Sequence, residues 1–162
     1  DVHKALVANL TPFSDQRSLN ALLGDEEKLV TFHLAENRGE SSSLFQFSKS
    51  SRFGVRMSGV LQLQMRRLDS ILTPRDIRES YSHWVVDVQG AELLVLKGAG
   101  LLLNECISLD VEVSTYETYE GGAQLDQITK HLVEFGFIPV WKFNPNSHGN
   151  LLFIRACHSV MS

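Results

Sequence analysis

The sequence predicts an α/β fold built on a mostly parallel sheet, with an inserted β-hairpin and an antiparallel strand at the end. Three observations predict it: nearly continuous apolar runs alternate with segments of helical periodicity, one region alternates with a period of two, and glycine or proline punctuates the segments. The 162 residues, 43% hydrophobic and 21% charged, are enough for one domain with a single substantial core.

The first half of the chain is predicted to form a helix and several strands. Apolar residues at helical spacing predict a helix from Val2 to Leu10, which Thr11-Pro12 ends. A strand then ends at Gly24-Asp25, and the run L-V-T-F-H-L-A after it predicts a half-buried strand. The run V-L-Q-L-Q-M-R-R-L also alternates, which predicts an exposed strand antiparallel to its partner.

The second half is predicted to alternate strands with helices. The apolar run H-W-V-V-D-V predicts a parallel strand covered on both faces, and A-E-L-L-V-L-K predicts a helix closed by Gly98. After the strand C-I-S-L-D-V-E-V-S, a second helix is predicted from Ala123 to Phe135, ending at Gly136. The runs F-I-P-V-W and L-L-F-I-R-A-C predict the last two strands.

Charge, hydropathy and cysteine spacing narrow the class of protein. A net charge of -4 and a pI near 5.8 argue against general binding of nucleic acid, which needs a basic face. No apolar run approaches the roughly 20 residues of a membrane span, and no leader opens the chain, so a cytoplasmic location is expected, with no membrane partner. Cys106 and Cys157 lack metal-ligand spacing and are predicted to be buried free thiols.

The stretch D-V-Q-G-A-E, residues 87 to 92, holds the strongest candidate site. In a mostly parallel sheet, ligands bind outside the carboxyl ends of the strands, where Asp87 is predicted to lie. Gly90 would let the backbone come close to a ligand. In the alternative interpretation, Asp87 is the N-cap of the following helix, and Glu92 only complements its dipole.

Two other places offer titratable side chains. Asp110 and Glu112 alternate with apolar residues on one strand, so they are expected to face the same side and to need partners, either Arg or Lys or a metal ion. Together with Asp87 they would suit a metal-dependent hydrolase. His148, in the last loop, could act as a base near neutral pH or have no chemical role.

Several motifs together resemble one enzyme family. The run D-V-Q-G-A-E-L-L-V-L-K-G-A, with R-R-L-D-S before it and Y-E-G-G-A and G-F-I-P-V after it, is similar to the FkbM family of S-adenosylmethionine-dependent methyltransferases. The runs A-L-L-G-D and N-R-G-E-S-S-S-L extend the resemblance over most of the chain. It implies a Rossmann-like class I methyltransferase sheet. The glycine-rich turn and the acidic strand end that hold the cofactor in this family would precede residue 1, so residues 1–162 are expected to be the carboxyl-terminal two-thirds of one domain, without its first strands.

The resemblance also assigns roles to residues. It implies S-adenosylmethionine as cofactor, and no residue is assigned as a metal ligand. The candidate catalytic residues are Asp87, which lies in the family motif, and His148, which is proposed from its place in the last loop. The implied cofactor-binding residues are Asp25, Ser42, Asp87, Gln89 and Gly90. The implied acceptor-binding residues are Glu92, Tyr116, Tyr119 and Glu120.

The predicted function is therefore transfer of a methyl group to a hydroxyl of a small molecule or sugar. The alternative is a non-catalytic α/β binding or assembly module that lacks the half of the domain that holds the cofactor. Binding of S-adenosylmethionine separates the two, because a module should not bind it.

Overall fold

The described chain follows the predicted alternation of helices and strands. The structure is a computed structural model, and it describes residues 2–52, 54–141, 144 and 147–156. Short 3-10 turns cover Leu68–Ser70 and Gly100–Glu105. The other elements are, in chain order, α1 (Val2–Leu10), β1 (Leu22–Leu23), β2 (Lys28–Ala35), β3 (Met57–Arg66), α2 (Pro74–Ser80), β4 (His83–Val86), α3 (Glu92–Ala99), β5 (Ser108–Ser114), α4 (Leu125–Glu134), β6 (Phe137–Pro139) and β7 (His148–Arg155).

The strands form two mixed sheets. The first has the order β1-β3-β2, and β3 is parallel to β1 and antiparallel to β2. The second has the order β4-β5-β7-β6, in which β4 and β5 are parallel while β7 is antiparallel to both of its neighbours. The α/β class, the hairpin of β2 and β3 and the antiparallel last strand are confirmed. A mostly parallel sheet is not confirmed in the described residues, because three of the five strand pairings are antiparallel.

The second sheet buries only one of its faces. Val86, Val111 and Leu151 lie side by side across β4, β5 and β7 and are buried in the same core as residues of α3 and α4. On the other face Val85 is 74% exposed, so the prediction that β4 is covered on both faces is wrong for the described chain. An apolar run does not reveal whether one face or two are covered, since β-branched residues favour either kind of strand.

Helix α3 does not end at the predicted residue. It continues to Ala99, and Gly100 caps it with a φ of 51°, a backbone conformation in which glycine is favoured. Gly98 lies inside the helix, where a Cβ atom would stand 1.9 Å from the carbonyl oxygen of Gly24. The close approach of α3 to the loop after β1 therefore explains the glycine at position 98. Through this contact, α3, which packs on the second sheet, also touches the first sheet.

Other elements were predicted in kind, but their ends differ. The predicted helix from Ala123 to Phe135 is α4, one or two residues shorter at each end, and Gly136 follows it at positive φ. Cys106 is a buried free thiol, as predicted, and burial raises its pKa to about 11. Cys157 lies outside the described residues. Among the described residues no helix is both long enough and apolar enough to cross a lipid bilayer.

Helix α2 was not predicted, although its start has a sequence signature. The Thr73 side chain accepts a hydrogen bond from the Asp76 amide, and the Asp76 carboxylate accepts one from the Thr73 amide at 2.7 Å. Pro74 occupies the first helical position, where its missing N–H costs nothing. This reciprocal capping box compensates for the short length of the helix.

Replacing Thr73 with alanine is expected to lower the free energy of unfolding by about 1 kcal/mol, because the Asp76 amide loses its partner. For a domain of this size the melting temperature should fall by about 2–4 °C. Differential scanning calorimetry measures the change. Thr129→Ala in α4 is the control and should not lower stability, since alanine favours a helix interior. Equal losses in both variants would contradict the capping role.

Candidate active site

The turn between β4 and α3 is held by one buried carboxylate. Glu92 is 3% exposed, and its Oε1 atom accepts hydrogen bonds from the amides of Val88 and Gly90, both at 3.0 Å. Burial raises the pKa of Glu92, and these amide hydrogen bonds oppose the shift. The N-cap of α3 is Ala91, so Asp87 is not the cap, and its carboxylate remains exposed beside the turn.

The Gln89 side chain joins the carboxylates around this turn. Its Nε2 atom donates to Asp87 Oδ1 at 2.6 Å and lies 3.4 Å from Glu112 Oε2. The parallel pairing of Val86 in β4 with Val111 in β5 explains why these side chains lie close together, because Asp87 follows Val86 and Glu112 follows Val111. One carboxylate oxygen from each of Asp87, Glu92 and Glu112 lies within 4.8 Å of the other two.

This cluster differs from the one expected of a hydrolase. Asp110 is not among the three clustered carboxylates, although it shares a strand with Glu112. In the described part of the chain, no ion pair joins Glu112 to a lysine or arginine; its charged neighbours are Asp87, Glu92 and His148. Among the residues that the structure describes, the expected pairing with Arg or Lys is therefore not found for Glu112. Burial, reinforced by the charges of Asp87 and Glu92, raises its pKa to about 7.

His148 comes to the same cluster from another strand. It is the first residue of β7 rather than part of the loop before it, and it pairs with Ser114. Its Nε2 atom lies 3.1 Å from Glu112 Oε1. Burial lowers the pKa of His148, and the charge of Asp87 opposes that shift.

Tyr119 forms the wall of the site beyond the turn. The side chain is 2% exposed, its hydroxyl donates to Gln89 Oε1 at 2.8 Å, and its ring stacks on Phe47 with 5.1 Å between centroids. Burial raises the pKa of Tyr119. A Cβ atom on Gly90 would stand 2.7 Å from the Tyr119 ring, and the φ of Gly90 is 94°. The space beside Gly90 is thus occupied by Tyr119, while a role of Gly90 towards a ligand stays a prediction.

A segment from residue 43 to residue 52 covers the loop from 114 to 122. Ser43 Oγ donates to the Gln89 carbonyl at 2.6 Å, and Ser48 Oγ donates to the Glu117 carbonyl. The Arg52 guanidinium lies 4.4 Å from the ring centroid of Tyr116. Sequence reasoning did not find Phe47 or Arg52, because nothing in the local pattern shows which distant loop they contact.

Two cavities are lined by residues of the carboxylate cluster. A cleft of about 240 Å³ is lined by Ser42, Asp87 and Gln89 together with apolar residues of the first sheet, among them Leu22 and Phe32. A second cavity, of about 20 Å³, is lined by residues that include Gly90, Glu92, Glu112, Tyr116, Tyr119 and His148. The structure therefore places most of the predicted site residues in two groups, one at each cavity.

Two predicted site residues lie elsewhere. Asp25 lines a different groove, beside Lys28 and Met65. Glu120 is exposed, and its amide donates to the Gln46 carbonyl. Neither lines the two cavities at the carboxylates, so their predicted contacts with cofactor and acceptor remain predictions.

Comparison with known proteins identifies the family of the chain. The family described as the methyltransferase FkbM domain matches residues 4–139, which is most of the chain. The chain belongs to the FkbM methyltransferase family. The matched span of this FkbM chain includes Asp87, Glu92 and Glu112 and ends before His148.

A characterised relative of this FkbM chain is the 2-O-methyltransferase NoeI of Sinorhizobium fredii (strain NBRC 101917 / NGR234). It is 28% identical over 138 residues, which are 80% of this chain and 56% of that protein. The chain thus spans little more than half the length of this relative. No solved structure matches the chain.

Proposed function

We propose that this protein is an S-adenosylmethionine-dependent methyltransferase that acts on a hydroxyl of a small molecule or sugar. The observation that carries the proposal is the cleft at the carboxyl end of β4, where Asp87, Gln89 and Ser42 face an apolar wall. Membership of the FkbM family supports methyl transfer. The name of the relative, a 2-O-methyltransferase, supports a hydroxyl as the acceptor.

The side chains around the cleft fit the chemistry of this cofactor. Leu22, Phe32 and Leu44 offer an apolar surface for a flat base, while the Asp87 carboxylate can accept hydrogen bonds from hydroxyl or ammonium groups. Asp87, Glu92 and Glu112 together give the site a negative potential, which attracts a cation. When bound, the cofactor supplies a methyl group activated by a positive sulfonium. In this proposal, preceding strands complete a Rossmann-like sheet and the rest of the cofactor site.

The chain's own residues align the acceptor and exclude water. Tyr119 is fixed by Phe47 and Gln89, so it forms a rigid wall beside the smaller cavity. Tyr116 lines the same cavity, with Arg52 against its ring. A rigid wall reduces the entropy lost when a reacting group is held in line, which is the main requirement of a displacement reaction. One hydroxyl of a sugar or other small molecule suits this wall, since the cavity of about 20 Å³ has room for a group of that size.

Binding of S-adenosylmethionine tests the proposal. In isothermal titration calorimetry of the full-length protein, the cofactor should bind, and Asp87→Asn should weaken binding about 10–100-fold, because hydrogen bonds to a charged group contribute about 1.5–3 kcal/mol. Asp110→Asn is the matched control: it removes a carboxylate from the neighbouring strand, outside the cluster, and should leave the affinity unchanged.

The alternative function is a binding or assembly module that does not carry out methyl transfer. It predicts no heat of binding in the wild-type protein. It also predicts that no methylated product forms when the full-length protein is incubated with cofactor and a panel of methyl glycosides. Binding of cofactor without methylation of any member would exclude the module and leave the acceptor class to be changed.

A further inference from the structure

We infer that Glu112 takes the proton from the acceptor hydroxyl, while Gln89 and His148 hold the Glu112 carboxyl group in place. The inference rests on the proposed methyl transfer and adds to it the residue that removes the proton. Glu112 becomes the catalytic residue, and His148 becomes a positioning residue instead of the base that its sequence suggested.

The first support is the position of Glu112 between the two cavities. Glu112 lines the cavity of about 20 Å³, whereas its partner Asp87 lines the cleft of about 240 Å³. A volume of roughly 10–15 Å³ is enough for one water-sized group, so the smaller cavity admits one hydroxyl. A hydroxyl placed there contacts Glu112, and it lies next to the cleft proposed to hold the methyl donor, because residues 87 to 92 line both cavities.

The second support is the way in which Glu112 is held. His148 Nε2 lies 3.1 Å from one oxygen of the carboxyl group, and Gln89 Nε2 lies 3.4 Å from the other. The side chain is only 15% exposed. Asp87 lies beside the same carboxyl group and raises its pKa. These contacts fix the carboxyl group in one orientation, which a general base requires.

The third support is the balance of charge around Glu112. The turn after β4 presents Asp87, helix α3 presents Glu92, strand β7 presents His148, and the loop after β5 presents Tyr119. The two carboxylates favour the protonated form of Glu112, and burial acts in the same direction, which brings its pKa to about 7. A base with a pKa near the working pH is both available and strong enough to take a proton.

The other titratable groups fit this role less well. His148 directs Nε2 at Glu112, and burial lowers its pKa, so it is the weaker base of the two. Glu92 Oε1 is already bound by two backbone amides. Asp87 is exposed and lines the cleft, so it remains the residue assigned to the cofactor.

The step balances as a single displacement. The acceptor oxygen forms a bond to the methyl carbon as the carbon–sulfur bond breaks, and the electron pair of that bond stays on sulfur. The O–H bond of the acceptor breaks at the same time, and its proton moves to a carboxylate oxygen of Glu112. The proton then passes to solvent, which restores the carboxylate for the next turnover.

A titration tests whether Glu112 binds and releases a proton near neutral pH, and it needs no methyl transfer. Infrared difference spectra of the full-length protein, recorded between pH 5 and pH 9, should show one carboxyl group that ionises near pH 7. Glu112→Gln should remove this signal. Asp110→Asn, two residues earlier on the same strand, should retain it. A signal that persists in Glu112→Gln overturns the inference.

The pH dependence of methyl transfer tests the catalytic part. With a methyl glycoside that the wild-type protein methylates, kcat should rise with a midpoint near pH 7 as Glu112 ionises. Glu112→Gln should lower kcat by about 10²–10⁴-fold and remove the rise. Its Kd for S-adenosylmethionine should change by less than about tenfold, so that lost binding does not explain the lost rate. His148→Gln, which keeps a donor near Glu112, should lower kcat less and shift the midpoint without removing it.

The outcomes separate the two levels of the proposal. If Glu112→Gln transfers methyl groups at the wild-type rate with an unchanged pH profile, Glu112 is not the base and the proposed function stands. If the wild-type protein neither binds cofactor nor methylates any glycoside, the proposed function fails and the inference fails with it. A rate loss that Asp110→Asn reproduces would also overturn the inference, because it would show a general effect of altering β5.

Discussion

Replacing Gly98 with alanine is expected to destabilise the domain by about 3 kcal/mol, at the upper end of the usual cost of overpacking. The new Cβ atom would stand 1.9 Å from the Gly24 carbonyl oxygen and 2.9 Å from its carbonyl carbon. Both are backbone atoms, so no side-chain rotation relieves the contact. Either α3 or the loop after β1 must move, and the loop is tied to β3, where the Gly24 amide donates to the Arg66 carbonyl at 2.9 Å.

Urea denaturation measures the change in the free energy of unfolding, and the sign of this change distinguishes the two possible effects. Helix propensity alone predicts that Gly98→Ala stabilises α3 by about 1 kcal/mol, so a loss isolates the close approach. Gly59→Ala in β3 is the matched control, because its Cβ would meet only Leu34 Cδ1, at an ordinary 3.8 Å. It should be neutral or slightly stabilising. A Gly98 variant at least as stable as wild type would show that α3 does not pack closely on this loop.

Local patterns predicted most of the elements from the sequence. Alternation identified the β2 and β3 hairpin, and the spacing of apolar residues identified α1 and α4. Helix α2 was missed, although Thr73, Pro74 and Asp76 form a recognisable capping signature, because its seven residues are too few to show a helical period. Gly98 was mistaken for a helix end, since a glycine required by close packing and a glycine required by a cap look alike in sequence.

The site was predicted in part. The motif around Asp87 was found because it ends a strand and starts a helix, and alternation placed Asp110 and Glu112 on one face. Which of these two meets Asp87 depends on the register of β4 against β5, and a shift of two residues would exchange them. Register is set by tertiary packing, so the sequence alone did not reveal it.

Contacts between distant segments were the hardest to predict. Ser43 meets Gln89 across 46 positions of the chain, and Tyr119 meets Gln89 across 30. The identity of Gln89 then has a physical reason. Its amide donates to Asp87 and accepts from Tyr119, whereas a glutamate at this position would place a further negative charge against Asp87 and Glu112.

The second large effect is expected in the pH dependence of stability. The pKa of Glu112 is about 7 in the folded protein and 4.5 when the side chain is fully hydrated. The folded state therefore binds this proton more tightly than the unfolded state does. The protonated Glu112 carboxyl group gives its full stabilisation below about pH 4.5, and this stabilisation is lost as the pH rises to about 7. The free energy of unfolding should therefore fall across this window.

Glu112→Gln should remove most of this fall and make the protein more stable than wild type at pH 8. The two pKa values set an upper limit of about 3 kcal/mol, and partial access of water reduces the expected gain to about 1–2 kcal/mol. Burial also raises the pKa of Glu92, so the free energy of unfolding of the variant should still fall with pH, but by less. Urea denaturation at pH 5 and pH 8 measures the difference between wild type and variant.

Asp110→Asn serves as the control and should follow the wild-type pH dependence, because Asp110 lies outside the carboxylate cluster. A Glu112→Gln variant that is less stable than wild type at pH 8 would show that the carboxylate is favourably paired and would contradict the electrostatic argument. A variant that is more stable and yet far slower at methyl transfer would show a stability–activity trade-off. The destabilising carboxyl group at the end of β5 would then be explained by proton transfer, because at neutral pH it only weakens the fold.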